Sequence, residues 1–365
     1  MKKLVTIVGA RPQFIKAAAV SRVLRQEFDE VLVHTGQHYD KNMSDIFFEE
    51  LSIPKPDYNL GVGSGSHAHQ TAEMLMRIED VLIKEQPNAI MVYGDTNSTL
   101  AGALAAVKIH IPIIHIEAGL RSGNMSMPEE VNRILTDRIS EVLFCPTNDA
   151  VENLRAEGIK DNVFNVGDVM CDAVLYYGAQ MDKHDSEYYK NRLVSLKFNR
   201  AQLGDEWYLA TIHRAENTDD IGKIEQILAA FEMLDRQVIF PVHPRTKKLV
   251  ESAVNKHGYQ NIFFCEPMGY IDMLYFLKHA VKAVTDSGGL QKEAYILDTP
   301  CVTVREQTEW IETLRGNCNI LSHPVKEDIF RKVMETKIDE SVKRPYYGKG
   351  DAAEKIVKVL KEGNK

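Results

Sequence analysis

Five cysteines in 365 residues (Cys145, Cys171, Cys265, Cys301 and Cys318) form no C-x-x-C pair and no cluster. Most stand in or beside apolar, strand-like runs. They read as reduced core thiols of a cytoplasmic protein, which leaves out a disulfide framework and a thiolate metal site. No apolar stretch approaches the roughly 18 uninterrupted residues of a membrane-spanning helix, so no membrane partner is expected. The first apolar run, Leu4–Gly9, is soon followed by Arg11 and Pro12 and reads as a strand, too short for the core of a signal peptide. Positive charge is in deficit: 44 Lys and Arg against 52 Asp and Glu leave a formal net charge of −8. That argues against a nucleic-acid binder working through a broad basic surface, although a local basic pocket remains open. His67 and His69 flank a loop rich in glycine and serine, but no further ligands stand at metal-binding spacing; neither a metal ion nor a cofactor is expected.

What is present is the composition of an ordinary globular protein, 44% hydrophobic and 26% charged, at a length suited to two domains. Short β-branched runs alternate with amphipathic windows, the pattern of parallel sheets covered by helices. Strands are expected at Leu4–Gly9, Val31–Thr35, Ala89–Gly94, Ile113–Glu117, Glu141–Cys145 and Val163–Val166. Helices are expected at Phe14–Gln26, Met43–Leu51, Ala68–Lys84, Ser98–Lys108, Val131–Ile139 and Ala150–Glu157. The pattern weakens from Asp168 to Asn199, which reads as an interdomain connection. It restarts with strands at Tyr208–Ile212, Gln237–Pro241, Ile262–Cys265, Ala283–Thr285 and Cys301–Val304, separated by helices at Ile221–Leu234, Lys247–Lys256, Ile271–Lys278 and Leu290–Leu297. A short amphipathic helix at Asp351–Lys361 closes the chain. The fold class is therefore α/β, two Rossmann-like doubly wound domains in tandem. Such sheets bind ligands beyond the carboxyl ends of their strands, which directs attention to the interdomain cleft.

The most informative strand end is Thr285-Asp286-Ser287-Gly288-Gly289-Leu290. Ser-Gly-Gly opens a helical segment whose free N–H groups and positive end suit a phosphate, and glycine lets a ligand approach the backbone. Glu293, about one and a half turns on, can accept hydrogen bonds from a ribose diol. An ordinary strand-to-helix turn with an N-cap serine has the same look. After the first strand, Gly9-Ala10-Arg11-Pro12 brings a tight turn and a planar fork of donors, with Lys16 one turn later, though not at Walker or G-x-G-x-x-G spacing; a solvated helix start is the plain alternative. Asp95 and Glu117 each follow a buried strand, where burial and neighbours can tune a carboxyl for proton transfer. Glu129 and Glu130 open a helix, a common dipole-complementing use of acids, and Asp95 has an N-cap as its alternative reading. His213-Arg214 and His243-Pro244-Arg245 close successive strands of the second half and suit an anionic substrate.

Taken together, Gly9-x-Arg11-Pro12, Gly94-Asp95-Thr96, His115-Ile116-Glu117-Ala118-Gly119-Leu120-Arg121, Pro128-Glu129-Glu130-x-Asn132-Arg133, His213-Arg214-x-Glu216-Asn217, His243-Pro244-Arg245 and Asp286-Ser287-Gly288-Gly289-x-Gln291-x-Glu293 are not generic. The chain resembles the non-hydrolysing UDP-N-acetylglucosamine 2-epimerases over nearly its whole length. The resemblance implies the glycosyltransferase-B architecture: residues 1–168 with 349–365 as the first domain, 169–348 as a UDP-binding domain, and the active site between them. It implies inversion at C2 by anti elimination of UDP to a 2-acetamidoglucal and re-addition, in a homodimer that takes a UDP-sugar. By similarity Asp95, Glu117 and Glu129 match catalytic carboxylates and His213 a catalytic-site histidine. Arg11, Lys16, Gln70 and Arg133 match substrate-binding positions, Ser287, Gly288 and Gly289 the phosphate cradle, and Glu293 the ribose acceptor.

Four departures stand out. Gln13 replaces the glutamate that usually follows Arg-Pro. Gln307-Thr308-Glu309-Trp310-Ile311-Glu312 stands where many members read Thr-Thr-Glu-Arg-Pro-Glu, so Trp310 replaces a substrate-side arginine and becomes a candidate specificity residue. A relative acting on UDP-2,3-diacetamido-2,3-dideoxyglucuronic acid resembles this stretch. Met268 and Met273 occupy the uracil slot in place of glutamine and phenylalanine. Gln37, His38, Arg214 and His243 resemble the pocket for a second, activating UDP-sugar, but Asp40 and Ala215 depart from it, and strong activation is not expected. Three rivals stay open: a glycosyltransferase of the same fold, a hydrolysing epimerase, and a sensor that binds without turnover.

Overall fold

The computed structural model describes residues 2–36, 51 and 53–363 of the chain. Contacts divide the chain into one unit of Met1–Tyr176 with Tyr346–Lys365, and another of Tyr177–Pro345.

The first unit is a seven-stranded sheet, β1 (Lys3–Val8), β2 (Asp29–His34), β3 (Tyr58–Asn59), β4 (Ala89–Tyr93), β5 (Ile113–Ile116), β6 (Val142–Cys145) and β7 (Val163–Asn165). Its order is β3-β2-β1-β4-β5-β6-β7, and every pairing is parallel. Parallel strands are joined by crossovers that put helices on both faces, which is why these strands are near-continuous runs of Val, Ile and Leu rather than alternating ones. The helices are α1 (Arg11–Leu24), α2 (His67–Glu85), α3 (Asn97–Lys108), α4 (Pro128–Ile139), α5 (Asn148–Ala156) and the first half of α6 (Val169–Met181). One face of the core joins Val5, Ile7, Val33, Ile90, Val92 and Ile113 to Met74, Ile78 and Val81 of α2 and the alanines of α3. α3 starts where Thr96 accepts the Thr99 amide, and its small residues let it lie close on the sheet.

The second unit repeats the plan with α7 (Ser186–Arg192), β8 (Trp207–Thr211), α8 (Ala215–Thr218), α9 (Ile221–Glu232), β9 (Gln237–Pro241), α10 (Lys247–His257), β10 (Ile262–Cys265), α11 (Tyr270–Lys278), β11 (Ala283–Thr285), α12 (Gly288–Ile296), β12 (Cys301–Thr303), β13 (Asn319–Leu321) and α13 (Lys326–Glu335). Its six parallel strands run β10-β9-β8-β11-β12-β13. The last helix, α14 (Ala352–Glu362), packs on α1 in the first unit. Ala352 and Ala353 there donate their amides to the two oxygens of Asp172, at 3.1 and 2.8 Å.

Several expectations change. Residues 168–199 are not a bare connection: α6 and α7 occupy most of them. α6 is buried nearly all round, with Val169–Val174, Tyr177 and Met181 inside, so it has no polar stripe to betray a helical period. The boundary between units falls within α6 and at Pro345/Tyr346, rather than at 168/169 and 348/349. The two-residue β3, β13, α8 and α13 also went unread. The expected helix 43–51 lies outside the described residues but for its last position, as do Gln37, His38 and Asp40. All five cysteines are buried and free. Among the described residues no helix is long and apolar enough to cross a membrane.

Candidate active site

Each sheet reverses its strand order once, β1 beside β4 in the first unit and β8 beside β11 in the second. Beyond the carboxyl ends of such a pair lies the open crevice of a doubly wound sheet, and the sequence motifs cluster there.

In the first unit the turn after β1 is closed by Gln13. Its Oε1 accepts the amides of Gly9 (2.8 Å) and Ala10 (3.0 Å), and its Nε2 donates to the Tyr93 carbonyl (2.8 Å) and Thr99 Oγ1 (3.0 Å). Gln13 thereby ties β1 to the end of β4 while capping α1, and an amide with one acceptor and two donors fits this set where a carboxylate would not. Arg11 is the first residue of α1, and Lys16, one turn on, is buried and pairs with Glu117 Oε2. Gly94 follows β4 in the left-handed region (φ +61°), and a Cβ there would stand 2.9 Å from Glu117 Oε2. Glycine serves both needs, and the turn carrying Asp95 comes directly against Glu117.

Asp95 accepts from Arg133 Nη2 at 2.7 Å through its side chain and from Asn132 Nδ2 at 2.9 Å through its carbonyl. Burial pushes its carboxyl above the usual range and Arg133 pulls it down; Glu117 adds to the rise, Lys16 opposes it, and the net direction is up. A carboxyl shifted upward beside a cation is a candidate for proton transfer. Glu117 follows β5 with φ +69°, a left-handed conformation costly for a glutamate.

α4 supplies the rest. Every residue it buries is polar or charged (Glu130, Asn132, Arg133, Thr136, Asp137), whereas Leu135 on the opposite face is 45% exposed. An amphipathic helix turned this way serves a polar site, not a greasy core. Of its two leading acids, Glu129 is exposed and Glu130 is buried, accepting the Ser122 and Gly123 amides (2.9 Å each) and pairing with Arg133. Burial works upward on Glu130, but those amides and Arg133 outweigh it and hold its carboxyl below the usual range, as a fixed anion. Gln70, on α2, donates to the Gly63 carbonyl (3.0 Å) and accepts from Asn97 (3.0 Å), which in turn reaches Asn132. The first unit thus brings together Lys16, Gln70, Asp95, Glu117 and Arg133.

In the second unit Asp286, fully buried after β11, accepts the amides of His213 (3.1 Å) and Arg214 (2.9 Å) and the side chain of Asn217 (3.1 Å). It fixes the loop after β8 against the start of α12. His213 Nδ1 stands 3.5 Å from Asp286 Oδ1, and its ring stacks on exposed His243 at 5.5 Å. Ser287 is the N-cap of α12, accepting the Leu290 amide at a long 3.4 Å. Among the described residues no side chain caps the amides of Gly288 and Gly289, the first two of the helix. A Cβ on Gly288 would meet Glu309 Oε1 at 2.7 Å, Trp310 Nε1 at 3.4 Å and Arg214 Nη2 at 3.8 Å, so all three groups line that turn. Glu293 is buried in the second turn of α12; Met268 precedes α11, and Met273 lies on it.

Trp310 is buried, and the buried ammonium of Lys292 sits 3.8 Å over its ring. Lys292, Glu309 and Arg305, which donates to Glu309 at 3.0 Å, were missed from sequence. A lysine one residue before Glu293 and an acid one before Trp310 were the available signals. Among the described residues no three His, Cys, Asp or Glu side chains gather as a metal site.

Parallel α/β units carrying paired acids and cations at one switch point and, at the other, a glycine turn whose first two amides meet no side chain among the described residues fit an enzyme of the nucleotide-sugar class. The family model for UDP-N-acetylglucosamine 2-epimerase matches residues 22–361, and the chain belongs to that family, whose members are isomerases. It is 49% identical to a UDP-N-acetylglucosamine 2-epimerase homolog of Methanococcus maripaludis, over 98% of this chain and 99% of that one. It is 46% identical to the UDP-2,3-diacetamido-2,3-dideoxy-D-glucuronate 2-epimerase of Pseudomonas aeruginosa, over 98% and 99%. The crystal structure of Methanocaldococcus jannaschii UDP-GlcNAc 2-epimerase in complex with UDP-GlcNAc and UDP superposes with a TM-score of 0.89 at 42% identity, covering 99% of this chain and all of that one. A plant glycosyltransferase, UGT2 of Phytolacca americana, reaches a TM-score of 0.56 at 12% identity over 99% of this chain and 93% of its own, a likeness of fold alone and in line with the glycosyltransferase-B class.

Proposed function

We propose that the chain is a non-hydrolysing 2-epimerase interconverting UDP-N-acetylglucosamine and UDP-N-acetylmannosamine, as a step toward surface polysaccharide precursors. The observation that carries this reading is the pairing of the strand-end carboxyls Asp95 and Glu117 with Arg133 and Lys16. A base takes the C2 proton, the C1–O bond breaks with its electron pair leaving on UDP, and a C1=C2 glycal remains. UDP oxygen then adds back to C1 while an acid delivers a proton to the opposite face of C2, so no water is consumed. Asp95, Glu117 and Glu129 are the acid and base groups in this proposal, with His213 beside the diphosphate. Arg11, Lys16, Gln70 and Arg133 bind the sugar side. Ser287, Gly288 and Gly289 hold the phosphates at the glycine turn that opens α12, Glu293 holds the ribose and Met268 and Met273 line the uracil slot. Two carboxyl groups on opposite faces of C2 are what inversion requires, more acid than group transfer alone calls for.

The test is proton NMR with UDP-N-acetylglucosamine in deuterated water. Loss of the C2 proton with a stable mixture of both UDP-sugars is expected; release of free sugar, or no exchange with UDP still bound, would overturn the reading. A second reading, the UDP-2,3-diacetamido-2,3-dideoxyglucuronate, is favoured by Trp310 with Lys292 over its ring and by the P. aeruginosa relative. It predicts exchange of that sugar and not of UDP-N-acetylglucosamine, with Trp310→Arg shifting the preference back. We also propose a homodimer, consistent with exposed Met76, Ile83 and Leu135 on α2 and α4; light scattering at the monomer mass would remove it.

A further inference from the structure

Glu117 is held in its left-handed conformation by one carboxylate that the proposed chemistry does not use. Asp137, on α4 and fully buried, uses both oxygens on the chain around Glu117. Oδ1 is 2.7 Å from His115 Nδ1, two residues before Glu117, and Oδ2 accepts the Gly119 amide at 3.1 Å, two residues after it. Between these anchors the amides of Glu117 and Ala118 both donate to the Phe144 carbonyl at 3.0 Å. Arg121 Nη1 donates to Oδ2 at 2.7 Å and spans to both oxygens of Glu157, which secures the far side. Burial works upward on the Asp137 carboxyl, but His115 and Arg121 outweigh it, so it remains an acceptor.

His115 extends the clamp to the neighbouring strand. Its Nε2 is 2.8 Å from the Gly94 carbonyl and its Nδ1 is 2.7 Å from Asp137 Oδ1, so the ring bridges the two. Gly94 in turn donates its amide to the Ile116 carbonyl at 2.9 Å. The peptide that launches Asp95 is thereby tied to β5 on both sides.

We propose that His115 and Asp137 are positioning residues for this reaction: one buried pair fixes the strained backbone of Glu117 and the direction of Asp95, and so sets the spacing of the two strand-end carboxyls. A strained conformation at such a site persists only where the surroundings over-determine it, and these contacts do so. The proposal rests on the epimerase reading for its kinetic arm.

The experiment compares the full chain with His115→Gln, whose single side-chain nitrogen cannot stand at both the Nδ1 and the Nε2 positions, and with Asp137→Asn, which keeps the shape and loses one acceptor. For either variant kcat is expected to fall by about a hundredfold while KM and the Kd for UDP stay within about threefold, since a displacement of about 1 Å at reacting groups has that scale. A kcat within threefold of the unchanged chain, measured well below the variant's melting temperature, overturns the proposal. Crystal structures supply an arm independent of turnover: Glu117 leaving its φ near +69° in either variant supports the clamp, and an unmoved Glu117 and Asp95 in both sinks it. If the unchanged chain itself turns over no UDP-sugar, the epimerase reading fails and the crystallographic arm still decides the clamp.

Discussion

The two units share a doubly wound plan and differ in the helix starts beside their sites. In the first, the start of α1 is filled by Gln13, and the start of α14 by Asp172. In the second, α12 begins with two glycine amides and a distant serine cap. The first unit spends its polar groups on one another, pairing acids with cations around Asp95 and Glu117; the second leaves donors for something outside the chain. On the proposed reading, the same crevice of a doubly wound sheet would serve to move protons in one unit and to hold an anion in the other.

The largest expected effect breaks the first half of that contrast. Glu117→Gln keeps shape and donor-acceptor reach but cannot exchange a proton, and kcat should fall about 10³-fold, within the usual range for a lost general acid or base. UDP binding, measured by calorimetry, should be nearly unchanged. An equal loss of UDP affinity would mean that the two units do not divide the work in this way.

Gly288→Ala breaks the other half. The new methyl would stand 2.7 Å from Glu309 Oε1 and 3.4 Å from Trp310 Nε1, so the Glu309 carboxylate must move from the turn. Filling a phosphate cradle in this way should weaken UDP by about 10- to 100-fold, about 1.4 to 2.8 kcal/mol. C2-proton exchange at saturating substrate should fall far less; a kcat loss larger than the affinity loss would assign the turn to the chemistry.

Both sites were legible in sequence to different depths. Strand ends carry their residues in order, so Asp95, Glu117, His213 and Ser287 stood out as soon as the strands did. Asp137 did not, and Glu130 was read only as one of two helix-opening acids: both face inward from α4, and a helix with a charged inner face reads like any solvated helix until its packing is known. α6 failed for the opposite reason: apart from Asp172 and Gln180 it has too few polar residues to mark a helical period. Gln13 was noted as a substitution, yet its four hydrogen bonds span residues 9 to 99 and exist only in the folded chain.

That residue gives the third test. Gln13→Glu would keep the two amide acceptances and set a carboxylate oxygen 2.8 Å from the Tyr93 carbonyl. The loss of a buried donor should cost about 1 to 3 kcal/mol in a denaturation experiment at neutral pH. Protonation restores one donor, so the gap should narrow toward pH 4; a gap independent of pH would show that the capping amides, not Tyr93, dominate.

The smallest effect concerns Asp172, the buried carboxyl of α6 that meets the start of α14. Burial raises the Asp172 carboxyl to about 6, while the Ala353 and Ala352 amides pull it down and Glu354 and Asp168 push it up. Its folded value thus exceeds the unfolded one of about 3.9, so its contribution to stability is full below about pH 4 and is lost as pH rises through about 6. The difference of about two pH units sets a ceiling near 3 kcal/mol, and about 1 to 2 is expected for a group still bonded to two amides. Hydrogen-exchange protection of Ala353, corrected for intrinsic rates, should therefore weaken by about tenfold between pH 4 and pH 7. Asp172→Asn should remove that slope, because an amide does not titrate. A slope that survives in the variant would place the titration elsewhere, and the docking of α14 would then owe its pH dependence to another group.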